Sequence, residues 1–190
     1  MKFLLFFVSM VALAQQPATR VLIAYHSETG NTEKLAQAIN KGAASVAGVE
    51  VTLRKTADVT PQEVVKYDGI VVGTPVHWSN LSAETKGFLD RVGAALWAAK
   101  TNGDGRTAGA FCTGGGAAMG KEAARISILS ALLTMRFMVI GGVDAEGFGT
   151  LGPEATTGPA DPAVSEKEQD EARRFGERFA RLTRQVRAVR

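Results

Sequence analysis

"VLIAYHSETGNTEKLAQAI", residues 21–39, changes its hydrophobic period part-way along. "RVLIAY" (20–25) is a short, nearly continuous apolar run of the kind that forms a buried strand, whereas "TEKLAQAINKGAASVA" carries Leu35, Ile39 and Val46 at helical spacing. Between them, "HSETGNT" (26–32) offers three hydroxyls, an amide, one glycine and no lysine. A loop of this composition at a helix N-terminus suits a phosphate. Free backbone N–H groups and the positive end of the helix dipole face such a group, and short donors do not crowd it. Ser27, Thr29, Asn31 and Thr32 are those donors, and Gly30 permits close approach. The GxxxxGK[ST] spacing is missing, so this is not a nucleoside-triphosphate loop, and a monoester phosphate fits better. The plainer alternative is a strand-to-helix turn in which Thr29, Asn31 or Thr32 merely caps the helix.

The alternation continues downstream. "VEVTLRK" (49–55), "GIVVGT" (69–74), "TAGAFCT" (107–113) and "FMVIGGV" (137–143) read as strands, separated by a short helix after Pro61 and by helices over about 82–97 and 120–135. A glycine-rich loop to about 164 leads into a terminal helix with Phe175, Phe179, Leu182, Val186 and Val189 on one stripe. This order predicts an α/β fold: a doubly wound, five-stranded parallel sheet with helices on both faces. In such sheets ligands lie beyond the carboxyl ends of the strands, where neighbouring connections diverge. Three loops leave strands there: "HSETGNT", "PVHWSNLS" and "GGGAAMG".

With 190 residues, 45% of them hydrophobic, the chain is long enough for one buried core and too short for two ordinary domains. Residues 1–14 stand outside that core. Lys2 precedes the apolar run "FLLFFVSMVALA", which ends in a small-x-small pattern, as secretory signal peptides do. The division is a signal peptide over 1–14, a short linker over 15–19 and one domain over 20–190, with export, to the periplasm of a bacterium, as the expected location. An uncleaved membrane anchor is the second choice, because 12 apolar residues fall short of the roughly 20 needed to cross a bilayer. A formal net charge of +3 gives no indication of nucleic-acid binding. The arginines of the last helix read as its wet face, with binding to an anionic surface as the sharper alternative. A single cysteine, Cys112, forbids an internal disulfide and a cysteine-based metal cluster, and two histidines, His26 and His77, are too few for a histidine-rich metal site. No metal is expected. Cys112 reads as a small buried hydrophobe; a redox role requires an exposed, low-pKa thiolate.

"VLIAYHSETGNTEKLAQAI" resembles the phosphate loop of the flavodoxins, which hold the phosphate of FMN with Ser/Thr-x-Thr-Gly-Asn-Thr. "YDGIVVGTPVHWSNLSAETKGFLDRVGAALW" is similar to the second flavin loop and following helix of WrbA-type flavoproteins, which are NAD(P)H:quinone oxidoreductases of flavodoxin-like fold; Gly73, Thr74, Pro75, Asn80, Lys86, Phe88, Leu89, Asp90, Leu96 and Trp97 match their pattern. His77 stands in place of that family's arginine and Ser79 in place of a glycine. The resemblance implies FMN contacts at Ser27, Glu28, Thr29, Gly30, Asn31 and Thr32 around the phosphate. It implies others at Pro75, Val76, His77 and Trp78 beside the ring, and at Thr113, Gly114, Gly115, Gly116 and Ala117 along its polar edge. It further implies a substrate-side role for Trp97 near the flavin of an adjacent subunit in a homo-dimer or tetramer. NAD(P)H is then a transient electron donor, and a quinone or another small molecule the acceptor.

A flavin enzyme needs orientation and electrostatics more than a catalytic triad. His77 is the candidate proton donor to a quinone oxygen, with an exposed bystander as the alternative. "TGGGAAMG" follows a strand and opens a helix, but Gly114, Gly116 and Gly120 are spaced G-x-G-x-x-x-G, which excludes a separate dinucleotide site of the usual type. Three functions compete: an FMN-dependent NAD(P)H:quinone oxidoreductase, a one-electron flavodoxin-type carrier without substrate turnover, and a binding module with a vestigial flavin site.

Overall fold

The computed structural model describes residues 17–116, 119–143, 150–158 and 163–190. The expected signal peptide, residues 1–14, lies outside them, as does Ala117.

Among the described residues, seven strands and four α-helices follow one another: β1 (Thr19–Tyr25), α1 (Asn31–Ala44), β2 (Val49–Lys55), β3 (Gly69–His77), β4 (Asn80–Leu81), α2 (Ala83–Ala98), β5 (Thr107–Gly114), α3 (Lys121–Thr134), β6 (Met138–Val139), β7 (Glu154–Thr156) and α4 (Glu166–Ala188). Two 3₁₀ turns, Thr56–Asp58 and Pro61–Lys66, join β2 to β3. The main sheet is parallel, in the order β2-β1-β3-β5-β6. Each strand of the centre is apolar on both faces, as helix-covered sheets require. Along β1, Val21, Ile23 and Tyr25 pack with Leu35, Ile39, Phe175 and Phe179 of α1 and α4, while Leu22 and Ala24 face Phe88, Leu89 and Ile128 of α2 and α3. Two cores therefore share one sheet.

Where α1 crosses α4, Gly42 and Gly176 let the backbones touch: a Cβ on Gly42 would lie 1.8 Å from the carbonyl oxygen of Arg173, and one on Gly176 would lie 2.0 Å from that of Ile39.

The fifth strand departs from expectation. "FMVIGGV" (137–143) does not run as one strand; only Met138–Val139 pairs, with Thr107 and Ala108 at the start of β5. Near the end of β5, Cys112, Thr113 and Gly114 pair instead with Glu154, Ala155 and Thr156 of β7. The apolar run is interrupted by Gly141 and Gly142, the latter at φ 75°, and the Gly142 N–H bonds to Thr150 rather than to the sheet. One sheet position is thus filled by two separate pieces of chain.

Candidate functional site

The chain moves from β1 to β2 on one side and to β3 on the other, so β1 and β3 are neighbours whose following loops part. Their ends are tied at this switch point by His26 N–H donating to the carbonyl of Gly73 at 3.1 Å.

The first loop wraps the start of α1. Gly30 caps that helix in the left-handed conformation (φ 89°), and its first turn receives no side-chain cap. A Cβ at Gly30 would meet nothing within 4 Å, so the space in front of the helix is open. Ser27 Oγ accepts the Gly30 N–H at 3.1 Å, and Asn31 Nδ2 donates to Thr29 Oγ1 at 3.3 Å, which folds the polar side chains around that opening. Glu28, Thr29 and Gly30 are exposed. Thr32 is buried and meets the buried Thr113 hydroxyl at 2.8 Å. One hydroxyl hydrogen is used in that bond; the other stays available to an acceptor.

The second loop is a hairpin. β3 extends past β1 through Pro75, Val76 and His77, then turns through Trp78 and Ser79 into β4, with His77 opposite Asn80. Both turn residues have positive φ, 49° and 65°, the geometry of a type I′ turn, which ordinarily takes asparagine and glycine. Trp78 is fully exposed at its tip. Below it, Ser82 caps α2 by accepting the Thr85 N–H at 3.2 Å and stands 2.8 Å from His26 Nδ1.

The third loop leaves β5 through Thr113, Gly114, Gly115 and Gly116. A Cβ on Gly115 would meet nothing within 4 Å, whereas one on Gly114 would lie 2.9 Å from the Lys121 side chain. Lys121 and Arg125, both buried on α3, hold this end of β5 from beneath. Lys121 Nζ lies 2.9 Å from Glu154 Oε1 and donates to Thr156 Oγ1 at 2.7 Å; Arg125 pairs with Glu154 and donates to the carbonyl of Gly152. The α3 N-terminus reaches the hairpin as well: a Cβ on Gly120 would strike the Ser79 backbone at 2.3 Å.

The two histidines meet here. Their rings are edge to face with centroids 6.0 Å apart; His77 Nε2 lies 3.8 Å from Glu28 Oε1, and His26 Nδ1 lies 3.6 Å from Glu84 Oε2. The Glu84 carboxyl is held below the usual range by its own backbone N–H, with the two histidines adding a smaller contribution. His26, Ser82 and Glu84 were not among the residues singled out from sequence. Ser82 is a regular helix N-cap in "LSAET", and that signal was readable; the His26 contact needed the fold.

The expected loop residues described here therefore converge, with His77 among them. Trp97 does not join them. It lies near the far end of α2, fifteen positions from Ser82 and so about 22 Å along the helix, and is 87% exposed. Cys112 is fully buried, with its Sγ 3.4 Å from the carbonyl of Lys121, and burial pushes its thiol up to about 12. That is the inert reading of this cysteine.

Residues 23–123 match the sequence profile of the family described as Flavodoxin. The chain belongs to the flavodoxin family. It is 36% identical over 161 residues to a flavodoxin of Aquifex aeolicus, covering 85% of each chain. It is also 32% identical over 144 residues to an NAD(P)H dehydrogenase (quinone) of Chromohalobacter salexigens, covering 65% of this chain and 71% of that one. Among solved structures, a WrbA-like flavodoxin from Agrobacterium tumefaciens superposes with a TM-score of 0.70 at 21% identity over 88% of this chain and 99% of that one. The WrbA-like structure shares the fold, and the flavodoxin of A. aeolicus is similar over more of this chain than the quinone dehydrogenase is.

Proposed function

We propose that the chain binds FMN in the cleft between its three loops and works as a flavodoxin-type electron carrier. The observation that carries the FMN assignment is the uncapped, open N-terminus of α1 behind Gly30, ringed by the Ser27, Thr29 and Thr32 hydroxyls. These groups would hold the phosphate. Trp78 on its exposed turn is available to lie against the ring, and the Gly114–Gly116 backbone offers N–H donors for the ring's polar edge. Bound FMN supplies electron transfer in one- or two-electron steps; the chain supplies orientation and the local field.

A carrier needs an exposed redox edge and no substrate pocket, and the exposed turn of Trp78 serves that need. The 36% identity to a flavodoxin over 85% of both chains supports the same reading. The second reading, reduction of a quinone by NAD(P)H, is supported by the C. salexigens relative and by His77 beside the cleft. One series of spectra decides between them. Apoprotein titrated with FMN is expected to take up one equivalent, and stepwise chemical reduction to pass through two resolved one-electron stages. NADH or NADPH is expected to leave the bound flavin oxidised. Rapid bleaching by either nucleotide, restored by a quinone, would establish the enzyme instead. No FMN uptake would remove both.

A further inference from the structure

Two carboxylates stand among the loops of the cleft. Glu28 lies inside the loop that wraps the start of α1, and Glu84 sits in the first turn of α2, behind the hairpin. An ionised carboxylate only accepts hydrogen bonds, so neither side chain has anything to give a phosphate, and each must be answered by a donor or a cation. Histidine faces both. One ring nitrogen of His26 and one carboxylate oxygen each from Glu28 and Glu84 lie within 4.8 Å of one another. The closest pair of groups is His26 Nδ1 and Glu84 Oε2, at 3.6 Å, and His77 Nε2 approaches Glu28 Oε1 to 3.8 Å from the other side. His26 Nδ1 also meets Ser82 Oγ at 2.8 Å, a supporting contact that fixes the plane of the ring. Glu84 accepts its own backbone N–H, which keeps it ionised. Lys86, two positions on along α2, is taken by Asp90 at 2.6 Å and does not neutralise Glu84.

The geometry points to a site for a divalent transition metal of the zinc type, held by His26, Glu28 and Glu84, with the fourth position open to water or to His77. Two carboxylates and a neutral imidazole match a dication in charge. Zinc binds nitrogen and carboxylate oxygen at about 2.1 Å, so the ligand atoms of a tetrahedral site stand about 3.4 Å apart. The 3.6 Å between His26 and Glu84 is already close to that spacing, and the side chains of Glu28 and Glu84, 59% and 54% exposed, are free to close the rest by rotation. Calcium and magnesium fit less well, because they take six or more ligands, nearly all oxygen, whereas an imidazole favours the transition metals. Two histidines are too few for an all-histidine site, but here the fold adds two carboxylates to them. A bound ion ties the first loop to the start of α2 across the switch point, and the site does not depend on what the cleft holds.

The test is calorimetric titration of the full chain, as purified without a histidine tag and dialysed against a chelator, with Zn²⁺ and separately with Mg²⁺. One equivalent of Zn²⁺ is expected to bind, at least about tenfold tighter than Mg²⁺, and to raise Tm. His26→Gln, Glu28→Gln and Glu84→Gln are each expected to weaken Zn²⁺ binding at least about tenfold, the loss that follows removal of even a supporting partner of a metal ligand. The two glutamate variants exchange exposed side chains for ones of the same shape. A metal-free urea midpoint equal to that of the parent therefore separates a lost ligand from a lost fold, whatever His26→Gln does to folding. No uptake of Zn²⁺, Zn²⁺ bound no tighter than Mg²⁺, or unchanged affinity in either glutamate variant overturns the proposal. FMN uptake, measured apart, bears on the cleft and leaves this result standing.

Discussion

Thr32 and Thr113 meet at 2.8 Å in a buried contact that joins the first turn of α1 to the end of β5. Sequence marked each as a separate flavin contact; Thr32 lies in the first turn of α1, after β1, and Thr113 near the end of β5. Their bond to one another was not legible: it spans 81 positions, and only the strand order brings them together. A hydroxyl in such a pair serves two masters, the fold and the ligand. Thr113→Val keeps the shape but leaves the Thr32 hydroxyl with a lost partner, which is expected to reduce stability by about 1 kcal/mol, read as a lowered urea midpoint at unchanged slope. FMN affinity is expected to fall in the same variant if the remaining hydroxyl hydrogen serves the phosphate. The histidines illustrate the other limit of residue-scale reading. His77 was found from its loop, whereas His26, at the very start of the opening motif, was passed over because its partners Ser82 and Glu84 arrive from another strand's loop.

Among the elements, the hairpin tip and the last helix carry opposite lessons. Trp78 and Ser79 both hold positive φ without being glycine, a conformation that costs about 1 kcal/mol for each L-residue. Ser79→Gly is therefore expected to raise stability by about 1 kcal/mol, visible as a higher urea midpoint; no change would mean that the Ser79 side chain compensates its own backbone. Nothing in "HWSN" announces a type I′ turn, since the residues that signal one are absent. By contrast "SEKE" (165–168) announces a capping box, and the structure contains it: Ser165 Oγ accepts the Glu168 N–H, and Glu168 accepts the Ser165 N–H at 2.8 Å. Glu168 also accepts the Thr156 N–H at 2.7 Å, so the cap doubles as the tie between α4 and β7. Burial works to raise the Glu168 pKa, but the bonds from Ser165 and Thr156 outweigh it and hold the carboxyl below its usual 4.5. Its stabilisation is thus fully present above pH 4.5 and is lost as the pH falls through the lower folded value. Glu168→Gln is expected to cost about 1 kcal/mol at neutral pH and progressively less in acid, measured by denaturant titration across that window. The fifth strand was misread as one run because pairing, not composition, decides where an apolar stretch stops being a strand.

At the scale of the whole molecule, strand and helix alternation was enough to give a parallel sheet covered on both faces, and the apolar centres of β1, β3 and β5 made its core legible. What alternation does not contain is how the last helix is fastened to the beginning of the sheet. Asp68 does this. It is 6% exposed just before β3, accepts the Arg20 backbone N–H at 2.9 Å, and takes Arg187 and Arg190 from the end of α4. One carboxylate thereby joins β1, β3 and the terminal helix, which otherwise packs chiefly on α1. Asp68→Asn keeps the volume and can still accept from Arg20, but it removes the charge between two guanidiniums. A loss of about 2 kcal/mol is expected, in the range for hydrogen bonds to charged groups. Arg190→Ala should lose under about 1 kcal/mol, because Arg190 is the more exposed partner and Arg187 remains. Added salt should shrink the Arg190 effect and leave most of the Asp68 effect in place, since the carboxylate is shielded from the solvent. Equal losses for the two variants, equally sensitive to salt, would show that the contact is a surface ion pair and that α4 is held to the sheet by its apolar stripe alone.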